Sequence, residues 1–382
     1  MIYLDNNSTT KLDAKVLEAM LPFLQDQYAN ASSNHEFGVS VNSKIKDARS
    51  SVAGLIGCEA NEIVFTSGAT EAINLAIKGV AENYSSKGKH IITVATEHPA
   101  VLDTCKYLER IGFEISYLPV DSNGLIDLKQ VEKTLRDDTI LISVMLVNNE
   151  TGVIQPLAEI SKLARKKGIV VMTDGTQAVG KLPVSVDELG VDLMAFSGHK
   201  FYGPKGVGAL FVRNRRPNKV RIEPILHGGG HERNLRSGTL NVPGIVGLGV
   251  AAEIAQNEME QNRKHIGLLR EMLEVELLKI EGAKLNGSKN KRLYNISNVS
   301  FKDIDADAII AGLENVIVSN GSACSSNKVE PSHVLTQMGL SEQDAYSSVR
   351  FSIGKFNTKS DITKAIQKTK AIVEKLRTMI AN

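Results

Sequence analysis

The chain has 382 residues, 42% hydrophobic and 23% charged, which is enough for a large buried core and two domains. Its net charge of +2 excludes a global electrostatic pull toward nucleic acid or an anionic membrane surface, so no direct nucleic-acid contact is expected. Cys58, Cys105 and Cys324 are too few and too scattered for a disulfide framework, and no C-x-x-C pair suggests a structural metal. A reducing compartment follows, and with no basic, apolar leader after Met1-Ile2-Tyr3 the expected location is cytoplasmic. The longest mostly apolar stretch, Val242 to Ala255, is interrupted by Pro and Gly and is too short to span a bilayer.

In chain order, a short extended start leads to a helix from Ala14 to Phe23, a small-residue loop from Ala29 to Gly38 and helical spacing from Asn42 to Ile56. Strand-like runs follow at Ile63 to Phe65, Ile91 to Ala95, Glu114 to Val120, Ile140 to Val147, Ile169 to Thr173, Leu193 to Phe196 and Val207 to Val212. Several alternate with amphipathic segments. The fourth and fifth runs are almost continuously apolar, as strands buried on both faces are. The expectation is an α/β fold with a mostly parallel sheet of about seven strands between helical layers. The cluster Arg213, Arg215, Arg216, Lys219, Arg221 reads as a solvated loop. Past Gly244, one long helix carrying Ile266, Leu269, Leu273 and Leu277 bridges to a smaller unit. That unit has strand candidates at Tyr294 to Phe301, Val316 to Ser319 and Val349 to Ile353, and a last helix with Ile362, Ile366, Val373 and Leu376 on one side.

Chemistry-bearing residues cluster where apolar runs end. Lys200 lies in the polar turn Ser197-Gly198-His199-Lys200 between two strand-like runs, and Asp174 ends another. A turn lysine, a carboxylate and hydroxyl donors are what pyridoxal 5'-phosphate requires: a Schiff-base amine, an acid to keep the pyridine nitrogen protonated, and phosphate ligands. Thr66-Ser67-Gly68-Ala69-Thr70-Glu71 carries small residues from a strand into a helix, which frees backbone N–H groups for an anion. The same pattern also suits a helix capped by Ser67 or Thr70. Gln177 is suited to bond a ring phenolate, and His98, just past a strand, to stack on a ring and move protons. Asn149 follows the fourth run, and ligands of open α/β sheets collect at such strand ends. Asp174 and His98 each suit a purely structural role as well. Arg350 interrupts a strand-like run and is either an exposed strand residue or the partner of an amino-acid carboxylate. Cys324, in Gly321-Ser322-Ala323-Cys324-Ser325-Ser326-Asn327-Lys328, has small polar neighbours that favour a reactive thiol, whereas Cys58 and Cys105 read as inert.

Together these stretches resemble the pyridoxal phosphate-dependent cysteine desulfurases of the NifS/IscS kind, group I, in the class V aminotransferase fold. The motifs that carry the likeness are Tyr3 to Thr10, Ser197-Gly198-His199-Lys200 with Tyr202-Gly203-Pro204-Lys205-Gly206, Arg236-Ser237-Gly238-Thr239 and Gly321-Ser322-Ala323-Cys324. The resemblance implies a type I fold, with a large cofactor domain at 13–258 and a smaller α+β domain built from 1–12 and 259–382 that carries the catalytic cysteine loop. It also implies roles. Lys200 would hold the cofactor covalently, Asp174 pair with its ring nitrogen, Gln177 contact its phenolate oxygen and His98 stack on its ring. Ala69, Thr70, Ser197 and His199 would hold its phosphate, with Thr239 arriving from the second subunit of a homodimer. Asn149 would touch both cofactor and substrate, Arg350 would bind the L-cysteine carboxylate, and Cys324 would take the sulfur as a persulfide for an acceptor protein. No metal is implied. That sulfur would serve iron-sulfur assembly, tRNA or cofactor thiolation, or DNA phosphorothioation. The family's longer C-terminal tail, which docks an iron-sulfur scaffold, is not expected here, because the sequence ends at Asn382. The competing readings are a selenocysteine lyase or other class V enzyme, which needs no loop thiol, and a non-catalytic sulfur-relay scaffold.

Overall fold

Seven strands form the principal sheet of the computed structural model, which describes residues 1–320 and 330–381. In chain order the strands are β1 (Ile2–Tyr3), β2 (Ile63–Thr66), β3 (His90–Val94), β4 (Glu114–Leu118), β5 (Thr139–Ser143), β6 (Val170–Asp174), β7 (Leu193–Ser197), β8 (Gly208–Val212), β9 (Ala283–Leu285), β10 (Ile296–Phe301), β11 (Val316–Ile317) and β12 (Ser348–Ser352). The principal sheet runs in the order β2-β8-β7-β6-β5-β3-β4, parallel except for β8, which is antiparallel to both β2 and β7. Every residue of β5, β6, β7 and β8 is buried, because helices cover both faces. Successive residues face opposite cores. Val171, Met194 and Phe196 join one apolar cluster, while Val170, Met172, Leu193 and Ala195 join the other.

The expected fourth run is shorter than the apolar pattern suggests. β5 stops at Ser143, although Val144 and Leu146 still donate to the carbonyls of Met172 and Asp174 and keep the chain alongside β6. The loop expected up to Gly38 also ends early. A helix runs Glu36–Ile56, capped by His35, whose Nδ1 accepts from the Gly38 N–H. This helix packs against the 36-residue helix Val242–Leu277. The approach is close enough that a Cβ on Gly249 would lie 2.5 Å from the Ala48 Cα.

The cationic loop after β8 is a correction to the sequence reading. Arg213 is buried, with Nη1 2.7 Å from Asp187 Oδ1 and Nη2 donating to the Val186 and Val191 carbonyls. Arg215 pairs with Glu62 and Asp187. Only Arg216, Lys219 and Arg221 of the five are exposed. The partners come from segments far away in sequence, so their neutralising effect is not visible locally.

The second half of the long helix carries a smaller antiparallel sheet, β12-β10-β9, together with the last helix Lys359–Ala381. The start of the chain belongs here. β1 pairs with β11, and Asn6 and Asn7 bond to Ser352. Among the described residues, no helix is long and apolar enough to cross a membrane.

Candidate active site

The carboxyl ends of the parallel strands face the smaller sheet across a cavity of about 840 Å³. Its lining includes Ala69, Thr70, His98, Asn149, Asp174, Gln177, Ser197, His199, Lys200 and Arg350. Sequence separations of up to about 280 residues thus collapse into one crevice at strand ends. Thr239 does not line it and stands exposed. Cys324 lies outside the described residues.

Each wall has a local cause. The helix Ala69–Tyr84 begins at Gly68 with no side-chain cap, so neither Ser67 nor Thr70 takes that role. Glu71 instead accepts from the Ser67 N–H and pairs with Arg236, leaving first-turn amides turned to the cavity beside Ser197. His98 caps the helix Pro99–Arg110, its Nδ1 accepting from the Ala100 N–H, so the ring proton sits on Nε2. Burial above all, with Lys200 adding to it against the pull of Asp174, lowers its pKa. The structural and functional readings of His98 are therefore compatible. Asp174 Oδ1 accepts from the Thr176 N–H, which orients its carboxylate at the end of β6.

Lys200 Nζ donates to the carbonyls of Asn7, at 2.7 Å, and Ser8, at 2.8 Å. Burial and then Arg350 lower its pKa to about 8, against opposing pulls from Asp174 and Asp5. His199, with Nδ1 3.1 Å from Thr9 Oγ1, is pushed down to about 4 by burial and by Lys200, Lys205 and Lys181, and is neutral at physiological pH. Arg350 is not an exposed strand residue. It is 4% exposed, and its guanidinium donates to Asp5 Oδ1, Ser8 Oγ and the Asn149 carbonyl.

Several participants carry no signal in isolation. Asn7 links Gln177 and Lys200 through one carbonyl, and Lys181 lies buried behind Gln177. The small polar run Asp5 to Thr10 was the available hint for the first. Cys105 is buried and Cys58 half-buried, and burial pushes both thiols up to about 12, so neither is a nucleophile at neutral pH.

A family model described as Aminotransferase class-V matches residues 2–364. The chain is 50% identical over 379 residues to the cysteine desulfurase IscS of Klebsiella pneumoniae subsp. pneumoniae, an alignment that covers 98% of this chain and 93% of that one. The chain belongs to the class-V aminotransferase family, among its IscS-type cysteine desulfurases. Solved structures agree with this desulfurase assignment. A NifS-like protein, 40% identical, superposes with a TM-score of 0.91 over 98% of this chain and 99% of its own. SspA, solved in complex with cysteine, is 38% identical and superposes with a TM-score of 0.82 over 94% of this chain and 100% of its own.

Enzymes of the class-V family depend on pyridoxal 5'-phosphate, and the donor set of this desulfurase cavity fits that group. An amine, a carboxylate and an uncapped helix N-terminus face one space. Thr176 Oγ1, on the cavity wall, is buried without a hydrogen-bond partner among the described residues, as is Arg350 Nε. A polar ligand would satisfy such atoms.

Proposed function

We propose that the protein converts L-cysteine to L-alanine and takes the sulfur onto Cys324 as a persulfide, for delivery to an acceptor protein. The observation that carries this reading is the meeting of Lys200, Asp174, His98 and Arg350 in one cavity.

Asp174 would hold the pyridine nitrogen of pyridoxal 5'-phosphate, Gln177 its phenolate oxygen, and Ala69, Thr70, Ser197 and His199 its phosphate, with His98 and Asn149 beside the ring. When bound, the cofactor supplies the electron sink that makes the substrate Cα–H acidic. Arg350 presents a guanidinium already fixed by Asp5, Ser8 and Asn149, which suits bidentate capture of the substrate carboxylate. Lys200, with its pKa near 8, is a base matched to working pH that takes the Cα proton and gives it back to Cα before alanine leaves. The Cys324 thiolate then attacks the substrate sulfur. An S–S bond forms, the C–S bond breaks with its electron pair left on Cβ, and the proton of the substrate thiol ends on that carbon, which leaves as the methyl group of alanine. His98 Nε2 is the donor and acceptor available to move that proton.

Domains at 13–258 and at 1–12 with 259–382 put the cofactor groups on one part and Arg350 and Cys324 on the other. We further propose a cytoplasmic homodimer in which Thr239 completes the partner's phosphate site. Leu17, Leu21 and Leu24 form an exposed stripe on the helix Ala14–Gln25, continued past its end by Tyr28, which is edge-on to Phe37, and this supports such pairing.

The test is release of alanine and sulfide from L-cysteine with a reductant present, comparing the wild type with Cys324→Ser. Turnover in the wild type and its loss in the variant, with the yellow cofactor absorbance retained, is the expected result. Equal release from both would shift the assignment to a direct lyase, and none from either would leave a scaffold.

A further inference from the structure

Gln177 lines the cavity with the two ends of its amide chemically distinguished by their surroundings. Its Nε2 donates to the Asn7 carbonyl at 3.0 Å, an atom that can only accept. Its Oε1 accepts from Lys181 Nζ at 2.7 Å, an amine whose pKa is lowered to about 7 by burial, then by Lys200 and Arg350, and whose N–H groups donate in either protonation state. Lys181 is 7% exposed and, among the described residues, makes no ion pair. A lysine buried without a carboxylate is costly, so something other than charge neutralisation keeps it there.

The placement shows what it does. Lys181 follows Gln177 by four residues in the turn after β6, and reaches the amide from the side away from Asn7. The same Asn7 carbonyl accepts from Lys200 Nζ, so a continuous chain runs from Lys181 through the Gln177 amide and Asn7 to the reactive amine. We propose that Lys181 is a positioning residue that locks the Gln177 amide with its NH₂ edge toward the cavity, so that this edge rather than the carbonyl meets the phenolate oxygen of the cofactor. This rests on the role assigned above to Gln177. Without Lys181 the carbonyl end loses its donor, and the Asn7 carbonyl is left alone to oppose a 180° turn that would present an acceptor to an anionic oxygen, which is repulsive. The lysine acts through orientation, and an arginine that reaches the same carbonyl would serve.

The experiment is a double-mutant cycle on the full chain, stripped of cofactor and titrated with pyridoxal 5'-phosphate. Lys181→Met should weaken binding about tenfold, the size of one hydrogen bond to a charged group. It should also move the pH midpoint of the yellow absorbance upward, while Lys181→Arg recovers both. In a Gln177→Ala background, Lys181→Met should change neither quantity. Thermal unfolding of each variant separates loss of fold from loss of orientation. Unchanged affinity and midpoint in Lys181→Met overturn the proposal, as do additive effects in the cycle, which would mark a charge acting through space. Should Lys181→Met fail to fold, Lys181→Arg decides alone: wild-type affinity and midpoint support the proposal, and a loss of either overturns it. Absence of any cofactor binding by the wild type would instead overturn the reading of the whole site.

Discussion

Lys200 is surrounded by two carbonyl acceptors, one guanidinium and two carboxylates, and the balance sets when its amine is free to react. Its pKa is lowered to about 8 by burial and then Arg350, so the neutral, nucleophilic form becomes dominant above that pH. Capture of pyridoxal 5'-phosphate by cofactor-free protein should therefore accelerate about tenfold per pH unit up to roughly pH 8 and then level off. Arg350→Met removes a cation that lowers this pKa and also releases Asp5, so the midpoint should move upward; stopped-flow absorbance measures both. His98, Asp174 and Lys200 were legible in the sequence because each stands directly after an apolar run, where a charged or ring side chain has a specific reason to be. Lys181 was not, since a lone lysine four residues past a glutamine looks like any solvated turn residue until the fold closes over it. Arg350 was legible as a candidate but not as a buried one, because its partners Asp5 and Ser8 lie some 340 residues away.

Among the elements, the loop from Gly228 to Thr239 is tied down by the Arg236–Glu71 pair and by a buried carboxylate. Glu232 is buried and accepts from Arg49 through both oxygens, at 2.6 and 2.7 Å, and from the Phe65 N–H at the edge strand β2. Arg49→Ala leaves that carboxylate buried with only an amide partner and should cost about 3 kcal/mol in denaturant unfolding. Glu232→Gln keeps the shape and the bonds to one oxygen but turns an NH₂ toward Arg49 Nη2, so it too should lower stability in the same assay. The strands themselves were readable from pattern, since burial on both faces demands apolar residues at every position. Element ends were not. The Glu36–Ile56 helix begins early because a histidine caps it, and β5 ends at Ser143 although its bonds to β6 continue in register to Leu146.

On the scale of the whole molecule, the exposed stripe Leu17, Leu21, Leu24 and Tyr28 should be covered by a second copy. In the proposed homodimer, Leu21→Glu combined with Leu24→Glu is expected to yield monomers by sedimentation and to reduce turnover, because each site would then lack the Thr239 proposed to come from its partner. The segment from Ile2 to Thr10 reaches further. It pairs with β11, bonds to Ser352, and lends its Asn7 and Ser8 carbonyls to Lys200 and its Thr10 side chain to the His199 carbonyl. During synthesis these residues emerge long before their partners near residue 350 exist. The reactive amine thus acquires its environment only after β12 has left the ribosome, so a truncated product lacking β12 would fold much of its principal sheet yet be unable to assemble a competent centre.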